Sequence, residues 1–211
     1  PQHHLPADIE RTSMQIIAKE LEERHIRIPR ENLAVVKRVI HTTADFEYAE
    51  TLHFTENAVQ KSIEALHNGA TIITDTNMAL SGINKRSLAG LGGEVHCYMA
   101  DETVAKLARE RGTTRAAVSM EIAAKIQKPV IFAVGNAPTA LIQIYEMMQG
   151  SDWRPAFVIG VPVGFVNVEA AKELILQTDV PFIINRGRKG GSNVAAAICN
   201  ALIYELTRNR S

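Results

Sequence analysis

The apolar residues of this chain follow two rhythms. In one they recur every three or four positions, the period of an amphipathic helix. Ile9, Ile16, Ile17 and Leu21 do so within residues 8–24, and Leu33, Val36 and Ile40 within 31–43. Val59, Ile63 and Leu66 follow, with Thr55 placed as an N-cap and Gly69 as the residue past the helix end. In the other rhythm apolar residues form short unbroken runs, the pattern of strands buried on both faces of a parallel sheet. Five such runs lie at 70–74, 95–99, 130–134, 156–160 and 181–185. Between the later runs helical spacing returns, at 101–112, from Thr113 or Thr114 to about 126, at 138–148, 168–177 and 192–206. Residues 75–93 carry four glycines and read as an irregular crossing over the top of the sheet.

Strands that alternate with helices predict an α/β fold with both sheet faces covered. Right-handed crossovers then give a flavodoxin-like, doubly wound, five-stranded parallel sheet in the order 2-1-3-4-5. An N-terminal helical arm at about residues 8–45 precedes it, and no low-complexity linker divides residues 1–211, so a single domain is expected. The segment from Pro129 to Tyr145 states the theme most clearly. An apolar strand runs into Gly135-Asn136, residues that tolerate turn angles, and Pro138 suits the first turn of the following helix. Its loop lies at the carboxyl end of a strand, the edge along which open α/β sheets bind ligands. The unit returns twice, with loops at 161–165 and 186–191.

Composition narrows the partners. With 211 residues, 46% of them hydrophobic and 22% charged, the chain is an ordinary globular one. Its formal net charge is zero, so neither nucleic acid nor an anionic membrane is expected as a partner, and any working positive charge must be local. Cys97 and Cys199 make no metal-binding or redox spacing and read as free thiols of a cytoplasmic protein. No apolar segment has the length of a membrane span, and the start lacks a signal-peptide pattern. His3 and His4, native or appended, are set aside.

Three places stand out chemically. Arg38 and His41 share a helix face near its C-terminal end, where partial negative charge favours an imidazolium. There His41 fits a general acid, with Arg38 holding an anionic ligand; it fits equally a histidine that caps the helix or packs on the sheet. The loop Arg186-Gly187-Arg188-Lys189-Gly190-Gly191-Ser192 offers three cations at a helix start, and no acidic residue between Phe182 and Tyr204 neutralises them. It is neither a Walker A loop nor a dinucleotide fingerprint. Asn136 and Thr139 add polar groups at the same edge, for a ligand or for the turn itself. Arg115 sits just inside a helix start, against the dipole, where a ligand carboxylate or a surface ion pair would account for it. Asp75 and Asn77 are suited to bind a ligand or to hold their loop. No serine-hydrolase order or zinc-ligand spacing occurs.

Together these segments resemble the precorrin-8X methylmutase (precorrin isomerase) family of cobalamin biosynthesis. The matching stretches are Val39-Ile40-His41, Gly135-Asn136-Ala137-Pro138-Thr139-Ala140-Leu141, Pro162-Val163-Gly164-Phe165-Val166 and the loop from Arg186 to Ser192, with Asp75, Met78, Gly82 and the Thr114-Arg115 pair. The likeness runs in order from Ser13 to Leu202. It implies a homodimeric isomerase that moves a methyl group between neighbouring ring-C carbons of a tetrapyrrole precursor, with or without cobalt, and needs no cofactor. By that likeness His41 donates and accepts the proton, and Ser13, Arg38 and Arg115 contact the substrate. Asn136, Thr139, Arg186 and Arg188 are expected to bind its acetate and propionate fringe. Rival readings are a flavodoxin-like module that binds an anionic metabolite without turnover, and a nucleotide-dependent transferase.

Overall fold

The computed structural model describes residues 5–208; His3 and His4 lie outside the described residues. Eleven α-helices among those residues surround one sheet. Helix α1 (Pro6–Glu23) begins with proline in its first turn, and α2 (Leu33–Thr43) buries Val35, Val36, Val39 and Ile40. After the short α3 (Tyr48–Thr51) and strand β1 (Leu52–Phe54) comes α4 (Ala58–His67). Gly69 has the left-handed backbone expected beyond that helix. Thr55 does not cap it: Asn57 occupies the cap position, and the Thr55 hydroxyl bonds to the backbone of Phe182 instead.

Strand β2 (Thr71–Thr74) leads into a region that is not irregular. It forms α5 (Asn77–Gly82) and α6 (Lys85–Gly90), capped by the side chains of Thr76 and Asn84. At six residues each, the two helices are too short for periodicity to reveal. Strand β3 (Glu94–His96) follows, then α7 (Glu102–Arg111), capped by Asp101 and closed by left-handed Gly112, and α8 (Arg115–Ala123), capped by Thr114. The remaining elements are β4 (Val130–Val134), α9 (Pro138–Met148), β5 (Phe157–Gly160), α10 (Val168–Leu176), β6 (Phe182–Asn185) and α11 (Ser192–Thr207).

The sheet corrects the expected five parallel strands in the order 2-1-3-4-5. It has six strands in the order β1-β6-β5-β4-β2-β3, and β1 pairs antiparallel to β6, with Leu52 opposite Asn185. Three residues between helices carry no legible period, so only the pairing reveals β1. The other five strands are mutually parallel. Their side chains alternate between two apolar layers, as the pleat requires. Ile72, Ile131, Phe157, Ile159 and Ile183 pack against α1, α2, α4 and α11. Ile73, Phe132, Val134, Val158 and Ile184 pack against α8, α9 and α10. No helix among the described residues is long and apolar enough to cross a membrane.

Candidate active site

The loops after β4, β5 and β6 are stitched together through their backbones. Gly191 N–H donates to the Val161 carbonyl at 2.9 Å, and Gly164 N–H to that of Arg188 at 3.1 Å. The contact is so close that a Cβ on Gly190 would lie 2.0 Å from the Val161 oxygen. Gly135 is required for the same reason: a Cβ there would meet the Gly191 oxygen and Ser192 Cα at 2.8 Å. Its backbone is not left-handed, nor is that of Asn136, so packing and not turn angle demands the glycine.

Asp75, 1% exposed, resolves to the loop-holding alternative. Its carboxylate accepts N–H bonds from Gly135, Asn136 and Ala137 at 2.8, 2.9 and 2.6 Å. Burial pushes its pKa above the ordinary value, against the pull of those amides. Asn136 is left exposed at the rim, while the Thr139 hydroxyl accepts from Thr114 at 3.1 Å and joins the starts of α8 and α9. Arg115 is exposed in the first turn of α8 and donates to the Met99 carbonyl at 3.4 Å.

His41 stands at the other layer, in the last turn of α2, and is exposed. It lines an open cleft of about 410 Å³ with Ser13, Ile16, Glu20 and Phe46, so Ser13 and His41 do come together. The Ser13 hydroxyl donates to the Ile9 carbonyl at 2.9 Å. Arg38 faces elsewhere. Its guanidinium pairs with Glu10 at 2.6 Å and lies 5.2 Å from the centre of the Tyr204 ring, lining a neighbouring cleft with Lys37 and Arg208. Burial works to raise the Glu10 carboxyl, but Arg38, with further charge from Arg208 and His41, outweighs it and sets its pKa below the ordinary value. Beyond the left-handed cap at Ala44, Asp45 pairs with Lys189 at 2.6 Å, and Glu47 pairs with the same ammonium. The Lys189 hydrogen bond holds the Asp45 carboxyl below its usual range, and the two carboxylates raise the lysine in turn. This link brings the end of α2 to the loop after β6.

The basic loop is not free of acidic neighbours, contrary to its sequence. Arg186 pairs with Glu173 at 3.6 Å and Arg188 with Glu169 at 3.3 Å, both from α10. Arg188 also lies 5.3 Å from the centre of the Phe165 ring. Phe165 and Val166 are 82% and 78% exposed, an apolar rim that sequence patterning did not single out. Lys172 was missed as well. It is 1% exposed, donates to the Gly187 and Lys189 carbonyls at 2.7 and 3.1 Å, and is lowered by burial to a pKa of about 8. A lysine inside the buried stripe Val168, Ala171, Ile175 is the signal that could have found it.

His41 and Arg115 thus sit on helices packed against opposite faces of the sheet. Within one chain they do not share a cleft among those described.

Comparison with known proteins gives a consistent result. The family model for precorrin-8X methylmutase matches residues 8–205. The cobalt-precorrin-8 methylmutase of Salmonella typhimurium is 48% identical over 174 residues, covering 82% of this chain and 81% of the relative. That of Priestia megaterium is 40% identical over 197 residues, covering 93% and 87%. The solved precorrin-8X methyl mutase from Thermus thermophilus superposes with a TM-score of 0.85 at 36% identity, covering 96% of this chain and 99% of that one. The chain belongs to the precorrin-8X methylmutase family, a family of isomerases.

Proposed function

We propose that this chain converts precorrin-8X, or its cobalt form, to hydrogenobyrinate or cobyrinate, with His41 as the acid and base. Protonation of the conjugated macrocycle by the His41 imidazolium makes the migration terminus electron-poor. The methyl group then leaves one ring-C carbon for its neighbour, and the proton returns to the imidazole. The substrate loses and gains no atom. The observation that carries this reading is the shared cleft of His41 and Ser13 at the negative end of the α2 dipole. Further acceleration comes from holding the macrocycle in a reactive conformation.

We further propose a cytoplasmic homodimer of single-domain subunits whose contact completes the site. Leu5, Ile9 and Ile16 present exposed apolar side chains on and just before α1, and Ile16 lines the open cleft itself. A second subunit packed there would cover that stripe and supply an Arg115 to a His41 from which it is separated by the sheet. Free Cys97 and Cys199 fit a reducing compartment.

The test is to mix purified protein with each precursor and follow the visible spectrum; the names of the two relatives make the cobalt form the first to assay. His41→Ala should keep the wild-type melting temperature and still bind product while turnover falls by about 10²–10⁴. Near wild-type turnover in that variant would remove the chemistry from this residue. Product binding without turnover by the wild type would favour a binding module. Sedimentation of a fully active monomer would end the dimer proposal.

A further inference from the structure

The cations of the proposed site differ in one respect. Arg38, Arg186, Arg188 and Lys189 each have a carboxylate partner within 4 Å. Arg115 has none among the described residues, and neither has Arg109, one helix earlier in the chain. Both line a cleft of about 650 Å³ between α7 and the first turn of α8, with Lys106 as a third cation and Glu102 as the one carboxylate. Lys106 is held only by a long 3.8 Å contact to Glu110 on its own helix. Three like charges gathered with only one carboxylate in the lining repel one another, so the cleft favours an anion that enters it. The first turn of α8 adds backbone amides and the positive end of a dipole. Through the Thr114–Thr139 bond this helix start is fixed to that of α9, which follows the rim carrying Asn136.

We propose that Arg109, supported by Lys106, binds a carboxylate of the substrate's fringe beside Arg115, so that the α7–α8 cleft is a subsite for adjacent acetate or propionate groups. This rests on the corrinoid reading of the site. The geometry favours a carboxylate over a bulky apolar group, because the cleft combines three cations with the hydroxyl of Thr103. It gives the enzyme a means to sense the pattern of carboxylates at the macrocycle's edge, a property the reacting histidine cannot supply.

The experiment compares the full chain with Arg109→Gln and with Arg109→Gln/Lys106→Gln. Arg109 is exposed and unpaired, so the single variant should keep the wild-type melting temperature. Its Michaelis constant and its dissociation constant for the coloured product should rise about fivefold, with kcat within about twofold, as expected for loss of one exposed charged contact made equally in ground and transition states. The double variant should rise further and show a weaker dependence of affinity on salt. Arg86→Gln, an exposed change on α6, should alter nothing. A variant equal to wild type in both constants and in salt dependence would overturn the subsite. Citrate added to the wild type provides a readout independent of turnover: the guanidinium NMR signals of Arg109 and Arg115 should shift together. Corrinoid inactivity with that shift would remove the proposed function and leave the anion site. Absence of the shift, with corrinoid turnover intact, would remove the site alone.

Discussion

Replacing Gly190 by alanine is the sharpest test of how the carboxyl edge is built. The added Cβ would stand 2.0 Å from the Val161 oxygen, 2.8 Å from its carbonyl carbon and 2.9 Å from the Pro162 oxygen. All three are backbone atoms, so no side chain can swing aside and the two loops must part by more than 1 Å, on the order of the shortfall from ordinary contact. That separation breaks the 2.9 Å bond from Gly191 N–H to Val161 and strains the bonds from Asn185 and Lys172 to the Lys189 carbonyl. Overpacking of about 1–3 kcal/mol and a buried hydrogen bond lost at about 1–3 kcal/mol together give about 2–6 kcal/mol. For a chain of this size that lowers the melting temperature by about 4–24 °C. Gly135→Ala, whose nearest contacts would be 2.8 Å, should cost less, and Gly90→Ala, with nothing within 4 Å, should be neutral or slightly stabilising. Thermal unfolding followed by circular dichroism ranks the three. Gly190→Ala melting within about 1 °C of wild type would refute the account, since no adjustment of that size is available to packed backbone.

Lys172 yields a pH signature. In the unfolded chain it holds its proton up to 10.5, and in the folded chain only to about 8, so the unfolded state binds more protons between those values. Wild-type stability should therefore gain from this group as pH rises through that window, and Lys172→Met should lack that contribution in denaturant titrations. The neutral amine keeps two N–H groups for the two carbonyls, so the loop should stay clamped at high pH. The paired Arg186 and Arg188 make a different prediction. Their partners are exposed and worth little, so the double change to Gln should leave the melting temperature within about 2 °C while raising the Michaelis constant, and salt should mimic it on wild type. Unchanged affinity would make the loop structural.

The hydrophobic rhythm alone determined much of the fold. Strands 70–74, 130–134 and 181–185, and the long helices after the second and third of them, are apolar and punctuated, so local preference and tertiary burial agree there. Asp101 and Gly112 could be read as helix ends because each acts within its own turn, and the structure picks Thr114 over Thr113 as the next helix start. The sequence also carried the family, through Gly135-Asn136-Ala137-Pro138-Thr139 and Pro162-Val163-Gly164-Phe165-Val166. What it left open are relations between residues distant in the chain. Strand β1 exists through its pairing with β6, more than a hundred residues later. The arginines of the loop after β6 have no acidic neighbour in one dimension and meet Glu169 and Glu173 in three. Arg38 and His41 share a helix face, yet Glu10 of another helix draws the guanidinium away. Periodicity assigns a residue to a face, whereas charge and close backbone approach depend on what the fold lays against that face; such contacts became definite only once the chain had closed on itself.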